Sequence, residues 1–544
     1  MSFPPRLSTL ASRPARAWVA VFAVVACLAQ SALVLAEDPS PAAAAAPAPA
    51  AAPVAAPDPT GANTGTAADV AATDGGKKLD EVAKELGHQK VSINIVWTLL
   101  SAFLIMFMQA GFGMVETGLT RAKNVSHTIA MNFLIYPIGV IAFWACGFAF
   151  MFGSAGPVAA LGGTPGLASA PLAFTLFGKP FEILGTGGFF LGPSVYDVGV
   201  FTLFLFQMVF MDTAATIPTG TMAERWKFSA FALYGVVVAT VIYPVYGMWV
   251  WGGGWLADLG TNFHLGHGHV DFAGSSVVHL TGGVMAFIGG KMIGPRLGKY
   301  NRDGSANVIP AHNIPMAVIG TFILAFGWFG FNAGSTLSGT DLRIGVIATN
   351  TMLASCTGGM AAALWVWFVR LGKPDTSMMC NGLLAGLVAI TAPCAFVPSW
   401  AAALIGAIAG LLAVEVVFFV DRKLKIDDPV GAIAVHGVNG IWGILALGLF
   451  ADGTYGDGWN GVPGTVKGLF YGDGGQFVAG LIGIAANIVY VGLASWIMFK
   501  VIGKLVGNRV KPNDEYEGLD IPEMGAPGYV GVALDKASET PIGH

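Results

Sequence analysis

From Ile93 onward the chain runs again and again through apolar stretches long enough to cross a bilayer, separated by short polar segments. In hydrocarbon every backbone N–H and C=O must be satisfied internally, which leaves helices as the structure such stretches can form. They fall near 93–115, 127–151, 197–220, 228–250, 272–293, 311–331, 344–369, 378–393, 399–420, 431–450 and 477–502. About 20 residues span a core roughly 30 Å thick, so the eighth is short. Charged residues make up 11% of the chain, against about a quarter in soluble domains. The predicted fold class is an all-α polytopic membrane protein of eleven transmembrane helices. A net charge of -4 gives no reason to expect nucleic-acid binding. Cys146, Cys356, Cys380 and Cys394 lack metal-ligand spacing and read as small hydrophobes, and no metal or cofactor is expected.

The N-terminal part reads as a processing signal followed by a spacer. Arg6, Arg13 and Arg16 precede an apolar run too short to span, and Val34-Leu-Ala36 offers a small-residue cleavage site. Residues 1–36 are therefore expected to be a signal peptide; Val24-Val-Ala-Cys27 offers lipidation as an alternative. Residues 37–90 are expected to be an Ala/Pro-rich extracytoplasmic tail, disordered for want of apolar side chains, with a charged and helical stretch over 77–89. The membrane domain is placed at 91–503 and a cytoplasmic tail at 504–544. An odd number of spans puts the chain ends on opposite faces. Seventeen Lys and Arg, from Arg121 and Lys123 to Arg509 and Lys511, fall in the segments predicted inside; Lys179, Arg343 and Lys467 fall outside. That bias predicts an inner-membrane protein with its N-terminus outside and C-terminus inside.

Two histidines stand in matching frames, Asp271-Phe-Ala-Gly-Ser-Ser-Val-Val-His279 and Asp428-Pro-Val-Gly-Ala-Ile-Ala-Val-His436. Each has Gly three residues after Asp, and a further Gly (Gly283, Gly440) four residues after His. A polar side chain in a span is costly and usually functional. The fifth span enters from outside and the tenth from inside, so the frames run antiparallel. Eight residues of helix rise about 12 Å, which carries both histidines toward the midplane. The expectation is an inverted repeat of five plus five helices with an additional C-terminal helix, and a transport site at its centre. Two facing imidazoles can share one proton and offer N–H or C–H edges to a small polar molecule.

Several longer motifs accompany these frames: Arg121-Ala-Lys-Asn-Val125, Ala223-Glu-Arg225, Trp249-Val-Trp-Gly-Gly-Gly254, His312-Asn-Ile-Pro315, Gly327-Trp-Phe-Gly-Phe-Asn-Ala-Gly-Ser335, Ala385-Gly-Leu-Val-Ala-Ile390 and Asp427-Asp-Pro429. In this order they resemble the ammonium transporter (Amt/Mep/Rh) family, bacterial Amt-type, from Ile93 to about Tyr529. The resemblance implies a transporter or channel for ammonium or ammonia, with methylammonium as a further substrate, and no enzymatic activity. It implies an outer recruitment site at Phe210, Trp251 and Ser335, a gate at Phe210 and Phe331, and a pore lined by His279, His436 and Trp328. It further implies a homotrimer for nitrogen uptake, and a C-terminal segment from Glu517-Gly-Leu-Asp520 onward that couples subunits and meets a P-II-type regulator; a flexible tail is the alternative.

Some positions stay open at this level. Asp271 caps the start of the fifth span or lends its charge to a nearby cation, with a supporting role implied by the resemblance. Asp428 reads as a cap of the tenth span. Asp212 either packs at a helix contact or affects conduction. Gly431 stands where some family members carry an acidic residue. The stretch with His264, His267 and His269 reads as a solvated loop, with metal binding as the alternative, and the 153–196 loop has no assigned role.

Overall fold

The computed structural model describes residues 79–164 and 166–530. The signal peptide expected over 1–36, the Cys27 alternative, most of the 37–90 tail and residues 531–544 lie outside that range. Within it the chain is mostly helical. The helices are α1 (Leu79–Leu119), α2 (Ala122–Phe152), α3 (Val198–Met222), α4 (Phe228–Val250), α5 (Ser275–Ile293), α6 (Ile314–Thr336), α7 (Ile344–Arg370), α8 (Thr376–Ile390), α9 (Ser399–Leu424), α10 (Ile433–Phe450) and α11 (Gly474–Leu505). Among the described residues ten are long and apolar enough to cross a membrane; α8, at 15 residues, is the shorter one. Its rise of about 22 Å falls short of the hydrocarbon core. Asn350 of α7 completes it, donating to the carbonyls of Cys394 (3.1 Å) and Val397 (2.9 Å) in the buried turn beyond its end.

Helix starts follow from polar caps. Asp197, Asn313, Asp375 and Asp473 each accept a backbone N–H from the first turn of α3, α6, α8 and α11, satisfying donors the helix cannot. The charged 77–89 stretch is no separate helix: from residue 79 it is continuous with the first span, so the tail expected to 90 ends sooner. The all-α expectation needs one correction. Inside the 153–196 segment β1 (Leu172–Leu176) pairs antiparallel with β2 (Lys179–Leu184). Phe177 and Gly178, both at positive φ, make the two-residue turn. The hairpin lies on the Trp251 end of the bundle, where Glu182 and Ile183 carbonyls accept from Trp255 N and Trp249 Nε1, both at 3.2 Å.

α3, α5 and α10 are mostly enclosed by the others. α5 and α10 touch along glycines: a Cβ on Gly440 would stand 2.6 Å from the Ser275 carbonyl, and one on Gly437 3.5 Å from Gly283 Cα. Small residues there let the backbones meet. The two helices run antiparallel, since Trp459 beyond α10 packs on Phe272 before α5, while Asp427 before α10 pairs with Arg296 beyond α5.

That second end is tied together by a buried ion network. Arg296 forks onto Asp427 (2.8 and 2.9 Å) and reaches Glu224 (2.7 Å), which also pairs with Arg121. Arg225 donates to the carbonyls of Asp427, Gly294 and Ala223. The segment after α11 folds across the same end as two short helices, α12 (Pro512–Glu517) and α13 (Asp520–Met524). Glu515 binds Arg509 and the Leu297 N–H, Asp520 accepts from His127 N, and Glu523 accepts from Phe228 N. Through residue 530 it is a docked segment, and the flexible-tail alternative does not apply to it.

Candidate functional site

Both histidine frames fold the same way locally. Gly274 (φ +117°) and Gly431 (φ +80°) take left-handed conformations three residues after their aspartates, a backbone state that disfavours any Cβ. Each turns the chain so that the aspartate caps the start of the next helix. Asp271 accepts from the N–H groups of Gly274, Ser275, Ser276 and Val277 at 2.7–3.0 Å. Asp428 accepts from Gly431 N (3.2 Å) and Ile433 N (2.8 Å), and from the Thr221 hydroxyl. Both helices then open with a wide π-type turn, Ser275–Leu280 and Ile433–Val438, and each turn carries its histidine. Such turns are rare and cluster at functional sites.

The histidines meet. His436 Nδ1 lies 3.2 Å from His279 Nδ1, and the rings are 5.2 Å apart and nearly parallel. One shared hydrogen fits between those nitrogens, leaving the opposite edge of each ring to other contacts. His279 Nε2 is buried with no protein partner. The ring packs against Trp328 (5.3 Å) and Phe331 (5.4 Å), which also touch each other, and Trp328 is held by its indole N–H on the Thr391 hydroxyl (3.0 Å).

Above this pair, Phe210 and Phe331 stack with centroids 4.2 Å apart, both almost wholly buried. Over them opens a cavity of about 210 Å³ lined by Phe210, Trp251, Ser335 and Gln207. Trp251 stands edge-on to Phe210 at 5.8 Å and donates its indole N–H to the Asp271 carbonyl (2.7 Å). Ser335 gives its hydroxyl hydrogen to the Phe331 carbonyl (2.8 Å), so its lone pairs remain as acceptors. Sequence reasoning missed Gln207. It lies one helical turn before Phe210, its Oε1 is buried without a partner, and a lone amide in an apolar span was the available signal.

Asp271 is 1% exposed and does not line that cavity. With the Ser276 hydroxyl (2.7 Å) added to its four backbone donors, its carboxylate is fully used, which favours the cap reading over direct cation contact. His269 stands behind it, and the solvated-loop expectation, which holds for the exposed His264, fails for its two neighbours: His267 is 5% and His269 1% exposed. Ser276 gives its one hydrogen to Asp271, so His269 Nε2, at 2.9 Å, must donate to Ser276. His267 Nε2 reaches the Gly464 carbonyl (2.9 Å). Among the described residues no group of three potential metal ligands forms. Asp212 is buried on the side of α3 toward α2, near Gly139, and outside the cavity lining.

On the far side of the histidines, His436 borders a narrow space of about 20 Å³ with Phe112, Glu116 and Asn381. Beyond it a funnel of about 230 Å³ opens between Asp428, Gly431 and Arg296. Mouth, aromatic pair, histidine pair, constriction and funnel succeed one another through the bundle. A route of this kind suits a small molecule able to shed charge at the mouth and regain it beyond, because burying an unpaired ion costs far more than burying its neutral form.

Comparison with known proteins agrees in extent. The model described as Ammonium Transporter Family matches residues 96–529. The ammonium transporter Amt2 of Archaeoglobus fulgidus is 46% identical over 451 residues, covering 82% of this chain and 90% of that relative. Amt1 of Haloferax mediterranei is 36% identical, covering 80% and 79%. Among solved structures, a sensor Amt protein aligns with a TM-score of 0.69 at 34% identity, covering 80% of this chain and 99% of its own. Candida albicans Mep2 aligns at 0.66 with 24% identity, covering 81% and 93%, a likeness of fold alone.

Proposed function

Because the chain belongs to the ammonium transporter family, we propose that it recruits NH4+ at the Trp251 mouth, strips one proton there, and conducts NH3 past His279 and His436 into the cell. The coarse function is ammonium transport by a multi-pass membrane protein that is not an enzyme. The observation that carries the finer reading is the order of groups along the route: Phe210, Trp251, Ser335 and Gln207 around the mouth, then the Phe210–Phe331 stack, then two histidines sharing a hydrogen. Aromatic faces attract a cation, worth about 2 kcal/mol when desolvated, and the hydroxyl and amide oxygens accept its N–H groups. The stack and the apolar walls beyond favour neutral ammonia. The proton released at the mouth passes through the imidazole pair.

Several wider features belong to the same proposal. We count α8 as a span, giving eleven helices, and relate the first ten as an inverted five-plus-five repeat; the equivalent caps and turns around His279 and His436 support this. The basic residues gathered at the Asp427 end support a cytoplasmic C-terminus, hence an inner-membrane protein with its N-terminus outside. A homotrimer, methylammonium as second substrate, nitrogen uptake and a P-II-type regulator follow from the family. A bacterial Amt type rests on the sequence motifs alone, as do the 1–36 and 37–78 assignments.

Pulses of ammonium, methylammonium and potassium on a supported membrane holding the protein test this. Currents for the first two, none for potassium, and their loss when both His279 and His436 become Ala, are expected; equal potassium current sinks the recruitment site. A second reading, a sensor whose pore conducts poorly, is favoured by the 34% identical solved relative described as a sensor. Tight ammonium binding with negligible current would select it.

A further inference from the structure

The twin-histidine reading leaves one buried carboxyl unused. Glu116, 3% exposed on α1, forms part of the wall of the narrow space beyond His436. Its neighbours make a chain of hydrogen bonds whose directions follow from counting hydrogens. Gln109 Nε2 donates to Thr216 Oγ1 (2.8 Å), Thr216 Oγ1 donates to Asn132 Oδ1 (3.0 Å), and Asn132 Nδ2 donates to Glu116 Oε2 (2.7 Å). Thr219 Oγ1 then stands 2.8 Å from both Glu116 oxygens and 2.5 Å from the Thr216 carbonyl.

A hydroxyl owns one hydrogen. The Thr216 carbonyl can only accept, so the Thr219 hydroxyl has two settings. Turned to Glu116, it closes the network around the carboxylate; turned to the carbonyl, it leaves a contact with Glu116 that closes through a hydrogen on the carboxyl. The network thus accommodates Glu116 as a neutral acid as well as its carboxylate. No cation opposes this, since no ion pair to Glu116 occurs among the described residues. The titratable groups near it are Asp428 of the α10 cap, Tyr234 of α4, and His436 across the shared space.

We propose that Glu116 is the proton donor on the far side of the histidines, returning to departing ammonia the proton lost at the mouth. The Glu116 O–H bond breaks as an N–H bond forms, and the ammonium ion leaves through the funnel beside Asp428. The carboxylate left behind keeps the Asn132 N–H and gains the Thr219 hydroxyl, which turns away from the Thr216 carbonyl. The proton handed through His279 and His436 then restores the acid, so one NH4+ enters and one leaves. This step rests on the relay reading above.

Two variants in proteoliposomes test it, E116Q, which keeps the hydrogen-bonding shape, and E116D, which keeps a titratable group. E116Q is expected to cut the ammonium-evoked current at least tenfold while an internal pH dye reports alkalinisation, because ammonia then enters without its proton. E116D is expected to restore current with a displaced pH profile. An E116Q current equal to the parent's in size and pH profile overturns the proposal. So does loss of both current and alkalinisation in E116Q and E116D alike, which marks a purely structural role. Should E116Q fail to assemble, infrared difference spectra decide: a protonated-carboxyl band perturbed by ammonium and retained in D212N supports Glu116, and its absence overturns it. A parent that admits ammonia without current removes the relay reading and this step with it, whereas a current-carrying parent with an unaffected E116Q removes Glu116 alone.

Discussion

Ser335 has already given its hydrogen to the Phe331 carbonyl, so toward the mouth it is an acceptor only. An acceptor of that kind discriminates for a cation with N–H donors, and a hydrogen bond to a charged group is worth about 1.5–3 kcal/mol. Ser335→Ala should therefore raise the ammonium concentration for half-maximal current roughly ten- to a hundredfold and leave the maximal current nearly intact, as read from a current titration. His269 makes a different test. Burial pushes its imidazole down to about 4, against the pull of Asp271. The folded value lies below the free one of about 6.5, so the stability tied to its neutral form is complete above that pH. It is lost as pH falls toward 4. Thermal melts of His269→Gln, whose amide can still donate to Ser276, should lose less between pH 7 and 4 than the parent. His269 shows where residue-level reading ran out. Its type and place were visible, but polar neighbours made the stretch look solvated, and only the packing of α11 over it made it buried.

Helix α10 starts from a cap that needs Gly431. A side chain there meets left-handed strain of about 1–2 kcal/mol, and its Cβ would stand 2.7 Å from Asn381 Nδ2. Gly431→Asp should lower the melting temperature and the current together; a variant as stable and active as the parent would contradict the cap. The loops that join α3 to α4 and α5 to α6 are held by the same end of the bundle. Burial would raise the Asp427 carboxyl, but Arg296 and Arg225 hold it below the usual carboxylate range. Burial likewise acts on Glu224 against Arg121 and Arg296, which keep it low. Groups lowered in this way stabilise the fold fully above about pH 4 and lose that contribution as pH falls through their folded values. Asp427→Asn breaks a buried pair, which costs about 3–5 kcal/mol. Its melting temperature should fall at pH 7 and respond less to acid than the parent's. The helices themselves were legible because apolar length and Asp or Asn caps are local signals. The β1–β2 hairpin was not, since its strand burial depends on what Trp249 and Trp255 happen to offer it.

At the scale of the whole molecule, large apolar side chains such as Phe133, Phe322 and Val489 face outward, as lipid or neighbouring subunits require. Mass photometry in detergent should find three times the monomer mass; a monomer that still carries current would remove the trimer from the proposal. The segment over 508–530 bridges the start of α2 and the loops after α3 and α5, Leu519 binding Asn124, Val510 binding Arg225 and Glu515 binding Leu297, so deleting it should change current before it changes helix content by circular dichroism. What the sequence determined by itself was the membrane class, the helices, and two Asp-x-x-Gly frames that deliver a histidine each. Those depend on hydropathy, charge and glycine torsions, all of them local. Only the tertiary structure decided that the two Nδ1 atoms meet at 3.2 Å, that Gln207 opens on the mouth, and that Glu116, held by Asn132 and Thr219, walls the space beyond His436. Each depends on side chains from different helices converging, and convergence is set by how the helices pack rather than by any one stretch of chain.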